Sequence, residues 1–165
     1  MIKHLQSLIA ALRHELQQYG EMLALLDQQQ ELILARAAED LYQLVARIEA
    51  QGVVLTDVRA ARETCRQTLA GALLRPAETT FNQLLGDLPP DYRPLVQALV
   101  EENNRLLARV QQRVRQNHLL LSRSVDLMQR VVNTLFPSRD PLVYNGYGKK
   151  SPPPAQPRPL YEAVG

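Results

Sequence analysis

The chain has 165 residues, the length of one domain, and its 19 Lys and Arg against 17 Asp and Glu leave a net charge of +2. That is too little to draw nucleic acid or an anionic membrane by field alone. Aromatics are 5% of the chain, Trp is absent and the apolar fraction is 45%, so the core must be built from Leu, Val, Ile and Ala, an alphabet suited to helices. In the N-terminal third, Leu5, Ile9, Leu12, Leu16, Tyr19, Leu23, Leu26, Gln30, Ile33 and Ala37 recur at alternating spacings of four and three. Side chains so spaced share one face, and a face this long is the seam of a helix packed lengthwise on others. Gly20 interrupts the helix at a cost of about 1 kcal/mol relative to Ala without breaking it.

A second seam runs through Leu41, Leu44, Ile48, Gln51, Leu55, Val58, Arg62, Cys65 and Leu69. Its polar members predict a half-exposed helix. Neither Gly nor Pro separates the two seams, and one unbroken helix would be about 105 Å long. Folding back buries both seams, so a turn is expected near Arg36 to Asp40. Between Gly71 and Pro94 the pattern breaks at Pro76, Gly86, Pro89, Pro90 and Pro94, leaving room for one short helix around Glu78 to Leu85. Asp91 is the expected N-cap of the helix that follows.

That helix carries Val96, Val100, Asn103, Leu107, Val110, Val114, Asn117, Leu121, Ser124, Met128, Val131 and Leu135 on one stripe. Leu99, Leu106, Leu120 and Leu127 widen it beyond what one partner helix would cover. Seven of the 11 prolines fall in the last 29 residues, a composition that predicts an extended tail. The expected architecture is therefore all-α: a long antiparallel hairpin and a third long helix in a coiled-coil-like bundle. Its helices are placed at about 3–36, 40–72, 78–85 and 92–136, forming a body of residues 1–136, with a Pro-rich tail over 137–165.

Sites of chemistry are hard to find in the sequence. Cys65 is the only cysteine, which excludes an intrachain disulfide and a Cys-based zinc site, fits a reducing cytoplasm and reads as a small buried hydrophobe. His4, His14 and His118 have no Glu or Asp three residues before them, so the Glu-x-x-His arrangement of di-metal bundles is missing. The glycines of the body are isolated, and Ser7, Ser122 and Ser124 belong to no nucleophile motif. No apolar stretch approaches a membrane span and no signal-like segment opens the chain. The expectation is a soluble, unprocessed protein that is not an enzyme and uses no cofactor, metal or nucleic acid. The third helix has six arginines against three acids over residues 95–136, either a solvated face or a surface for an acidic partner segment. Asn103 and Asn117, standing in the apolar seam, either set the register of the bundle or await the polar groups of an incoming helix.

The order and spacing of several short motifs are familiar. Gln28-Gln29-Gln30-Glu31-Leu32 stands near the hairpin bend, Glu102-Asn103-Asn104-Arg105-Leu106-Leu107 and Asn117-His118-Leu119-Leu120 lie on the third helix, and Tyr144-x-x-x-Gly148 follows a proline-interrupted exit. In these features residues 5–148 resemble the FlgN family of flagellar export chaperones. The resemblance implies a cytoplasmic, non-enzymatic chaperone that holds the C-terminal helical segments of the hook-filament junction proteins FlgK and FlgL, and the broad apolar stripe independently predicts a groove beside the third helix that can receive such a segment as an added helix. The residues expected to line it are Leu99, Asn103, Leu107, Val110, Val114, Asn117, Leu121 and Met128. It also implies delivery to the type III export gate protein FlhA through a tyrosine beyond the third helix, matched here by Tyr144, with Tyr147 and Gly148 beside it. The proline-rich terminus departs from the family pattern. The competing expectation is a self-associating coiled coil, such as a homodimer, that buries its own broad stripe.

Overall fold

The computed structural model describes residues 1–135, and the tail assignment lies outside them. Four helices form: α1 (Ile2–Ala35), α2 (Ala38–Ala72), the short α3 (Phe81–Leu85) and α4 (Arg93–Leu135). The fold is a helical bundle, with no strand among the described residues. One compact unit covers Met1–Val125 and a second starts at Asp126. The described part of the second unit, residues 126–135, is helical and exposed throughout.

Polar contacts between helices give the directions within the first unit. The side-chain amide of Gln51 donates to the Gln18 carbonyl at 3.2 Å and to its Oε1 at 2.8 Å, while Arg62 Nε meets Glu15 Oε2 at 3.0 Å. Numbers rise along α2 as they fall along α1, so the pair is an antiparallel hairpin. In contrast, Asn103 Nδ2 donates to the Leu12 carbonyl at 3.0 Å and Asn117 Nδ2 to the Leu26 carbonyl at 2.8 Å, both 91 positions apart. A constant offset means that α4 runs parallel to α1.

Two apolar clusters fill the bundle. One joins Leu5, Leu8, Ile9 and Leu12 of α1 to Leu69, Leu88 and Val96, with Cys65, Phe81 and Leu99 partly buried against it. The other joins Tyr19, Met22, Leu23 and Leu26 to Leu55 and Val110. Burial of each such Leu is worth about 1.5–3 kcal/mol. α1 buries more than the expected seam: Leu8, Glu15, Gln18 and Met22 are also covered, because α1 has α2 and α4 to pack against. Cys65 is half-buried rather than fully buried.

The bend between α1 and α2 falls at Arg36, φ 57° and ψ 30°, whose N–H donates to the Ile33 carbonyl while Ala37 N–H donates to Leu32. Leu74, φ 57°, does the same for α2, with Leu74 N–H on Gly71 and Arg75 N–H on Ala70. Both ends are Schellman motifs with a non-glycine residue in the left-handed region. That is why no glycine announced the turn.

Past α2, charged groups fix the connection. Buried Arg66 donates to the carbonyls of Thr79 and, at 2.7 Å, Ala77, and pairs with Glu63. Hydrogen bonding from Arg66 is the main reason the Glu63 carboxyl sits below the ordinary range. Arg75 and Asp87 form a two-point ion pair at 2.8 and 2.9 Å. Since Arg66 holds the carbonyls of residues 77 and 79, the short helix starts later than Glu78. Its N-cap is Thr80, whose N–H donates at 2.9 Å to Gln83 Oε1 in a capping box. The expected Asp91 cap is displaced by one residue: Val96 N–H bonds to the Tyr92 carbonyl at 3.0 Å, so Tyr92 caps α4, and Pro94 occupies its first turn.

The backbone at two positions is mismatched to its residue. A Cβ at Gly20 would meet nothing within 4 Å, and Leu74 holds a left-handed conformation while 94% exposed. Gly20→Ala and Leu74→Gly are each expected to raise unfolding free energy by about 1 kcal/mol, read as a higher urea midpoint at unchanged slope; a lower midpoint in either would refute its assignment.

Candidate functional site

The face by which α4 is held is narrow. Its fully buried residues are Val96, Asn103, Val110 and Asn117, one per heptad. The offset of the two amide bonds sets them opposite Leu5, Leu12, Tyr19 and Leu26, themselves buried. Apolar and amide residues thus alternate along a strict seven-residue repeat, a pattern the broader stripe concealed at the level of sequence.

Both asparagines are consumed inside the bundle. Asn103 is 6% exposed and donates to the Leu12 and Leu99 carbonyls, while Asn117 is 2% exposed and donates to the Leu26 carbonyl and Gln29 Oε1, each of the latter at 2.8 Å. Their Oδ1 atoms are buried and accept no hydrogen bond among the described residues. Of the two uses open to these amides, the structure displays the internal one, because each already faces a main-chain carbonyl or side chain of α1. Val110 is likewise enclosed in the second cluster. None of these three presents an accessible side chain.

The other expected residues differ in access. Leu99 and Leu107 are half-buried against the two clusters, and Leu121 is half-buried. Val114 is 47% exposed and, in the second unit, Met128 is 68% exposed. Sequence reasoning left Leu119 and Val125 out of its site, yet they are open too, as are Leu127, Val131, Val132 and Leu135 of the second unit. Large exposed apolar side chains on α4 are therefore concentrated from Val114 onward, whereas the preceding half of the helix is engaged by the hairpin. Register could have revealed this division: Ser124 stands opposite Ile33, just before α1 ends. Tyr144, Tyr147 and Gly148 lie outside the described residues.

A cleft of about 210 Å³ opens beside this seam, lined by residues of all four helices. Part of its polar wall is paired: Glu15 Oε2 takes Arg62 Nε, and Glu15 Oε1 accepts the Tyr19 hydroxyl at 3.2 Å. The Arg62 guanidinium lies 5.7 Å from the Phe81 ring centre. Burial, and then the neighbouring Glu15 carboxylate, raises the Tyr19 pKa, keeping the phenol protonated. These groups brace one another and leave no activated nucleophile. Among the described residues no group of three His, Cys, Asp or Glu is placed to hold a metal, and no helix is long and apolar enough to cross a membrane.

The family model described as FlgN protein matches residues 1–152. No curated protein and no solved structure matches the chain.

The alternating seam makes a definite demand on Asn103 and Asn117. Polar seam residues cost stability while selecting one alignment. The double substitution Asn103→Leu, Asn117→Leu is expected to leave the melting temperature unchanged or higher and to yield several species in sedimentation velocity where the parent gives one. A single species matching the parent would show that the amides do not set the register.

Proposed function

The chain belongs to the FlgN family, and from that premise we propose that it is a cytoplasmic, non-enzymatic flagellar export chaperone for the C-terminal helical segments of FlgK and FlgL. The supporting observation is the exposed apolar side chains of α4, Val114, Leu119 and Val125 in the first unit and a denser set in the second taken by itself. Single exposed apolar residues are ordinary on a soluble protein, but Leu127, Met128, Val131, Val132 and Leu135 are five within nine positions, from 47% to 68% exposed. Spaced three and four apart, they suit the apolar side of a second helix.

In this reading Val114, Leu121 and Met128 meet the client, with Leu99 and Leu107 at the half-buried margin, while Asn103, Val110 and Asn117 hold α4 in place beneath them. If about 1,000 Å² of apolar surface were covered, the gross gain would be about 25 kcal/mol. Ordering of the client and its lost free motion offset most of that. The net affinity is then compatible with release, as export requires.

Delivery is assigned to the segment after the body. By its Tyr-x-x-x-Gly frame, Tyr144 is the residue proposed to engage FlhA, with Tyr147 and Gly148 as its neighbours. Capture and delivery would then reside in different parts of the chain, and each can be removed alone.

Val114→Asp with Met128→Asp alters exposed positions and is expected to abolish co-purification with FlgK while helical circular dichroism is retained. Undiminished capture by the folded variant would overturn the assignment of this surface. A stable homodimer of the parent, whose dissociation by the same substitutions has no effect on FlgK capture, would favour self-association instead.

Tyr144→Ala is expected to keep FlgK capture and reduce FlgK export in flagellated cells by tenfold or more, about the loss of one anchoring aromatic. Equal loss of capture and export would argue against separate duties.

A further inference from the structure

Charge is unevenly divided along the first unit. Residues 1–102 hold nine Lys and Arg against fourteen Asp and Glu, whereas residues 103–125 hold five Arg and no acid. One of the five reaches the hairpin: Arg113 Nε lies 2.8 Å from Asp27 Oδ1. Arg105 pairs with Glu102 of its own helix at 2.8 Å. Arg109, Arg115 and Arg123 are exposed and form no ion pair among the described residues. Arg105, Arg109 and Arg113 also stand four apart, a like-charge spacing that disfavours a helix, and nothing within the first unit offsets it at Arg109.

The free arginines lie on a face of α4 that the bundle does not use. Arg105, Arg109, Gln112, Gln116, Leu119 and Arg123 recur at alternating spacings of four and three, and every one is exposed. At about 100° per residue they fall within about 40° of one line, about 140° round the helix from the buried Asn103, Val110 and Asn117 and about 160–180° from Val114 and Leu121. Arg115 stands about 80° to one side of that line. Such spacing makes a row along which a second helix can lie, here basic and amidic where the inner seam is apolar. We infer that this outward face of α4 docks an acidic helix of another protein. The client is assigned to the opposite side of α4, so this is a second surface and does not depend on that assignment. Guanidinium forks meet carboxylates at two points, the amides of Gln112 and Gln116 can donate to carboxylates between them, and Leu119 adds an apolar contact. A nucleic acid fits less well: residues 103–125 contain no Lys, Phe, Tyr or Trp, and the middle of the row is uncharged.

The test uses the full chain and three fluorescent, Ala-rich helical peptides of about 21 residues, enough to cover the roughly 27 Å from Arg105 to Arg123. One carries Glu in a row at spacings of four and three, the second carries Gln at the same places, and the third carries the same number of Glu scattered round the helix. By anisotropy, the Glu-row peptide is expected to bind about tenfold more tightly than the Gln peptide, since three exposed pairs contribute roughly a two- to threefold factor each. That preference should shrink as NaCl rises from about 50 to about 500 mM. Arg109→Gln with Arg123→Gln should weaken Glu-row binding about fivefold, and Arg109→Glu with Arg123→Glu should abolish the preference, both at unchanged helicity. Val114→Ser with Met128→Ser, on the other side of the helix, should leave it intact. Equal binding of the Glu-row and Gln peptides, or binding of neither, would overturn the proposal. So would loss in the serine variant with none in the arginine variants, which would move the acidic partner to the apolar side. Scattered Glu binding as tightly as the row would overturn docking along the row, and tighter binding of single-stranded DNA of the same charge would show a polyanion surface instead.

Discussion

The structure depends on the register between α4 and α1. Two amides fourteen residues apart on α4 reach two main-chain carbonyls fourteen residues apart on α1, and the valines between and before them are buried at the intervening turn positions. An apolar seam alone would allow α4 to slide by a heptad at modest cost. Sliding by seven would put Asn opposite the positions now taken by Val and break both amide bonds, each worth about 1 kcal/mol, with buried donors left unpaired at about 1–3 kcal/mol more. The unpartnered Oδ1 atoms show that the amides are not optimised for stability.

Register has consequences at both ends of the first unit. At the start of α4, Val96 must meet Leu5 just as α2 delivers Leu69 to the same cluster, so the chain between them cannot wander. Arg66, Arg75 and Arg93 meet that demand by holding carbonyls and a carboxylate of the connection: Arg93 Nε lies 2.8 Å from the Leu88 carbonyl and its Nη2 3.0 Å from that of Gly86. Arginine suits the task because its planar fork carries several donors and stays charged. Further along α4, the hairpin supplies fewer partners, and large apolar residues become exposed.

The sequence was most legible where burial repeats. The α1 seam from Leu5 to Ile33 is buried or half-buried at every apolar position, and the three long helices run over Ile2–Ala35, Ala38–Ala72 and Arg93–Leu135. Less legible were features in which a residue acts outside its usual preference. Arg36 and Leu74 end helices in a conformation normally marked by glycine, so the bend could be inferred only from the need to fold back. Gln51 and Arg62 read as signs of exposure, yet each is a partner for a buried polar residue of α1. Buried Glu15 and Gln18 were invisible because a charged or amide residue in a helix gives no sign of its distant partner. For the site, the breadth of the α4 stripe was plain, but not its division between internal packing and open surface, which depends on where α1 ends.

That division explains how one helix can serve both stability and exchange. Were the whole α4 stripe exposed, the helix would have no fixed position from which to present a binding face; were all of it buried, any client would have to unfold the bundle. Here the anchored part carries one buried residue per heptad, and amides rather than tight apolar packing define its position. The exposed part carries apolar side chains without a polar lock. Contacts of that kind are non-directional and scale with area, so under the proposed reading they would accept helices of varied sequence and give them up to a competing partner covering the same surface.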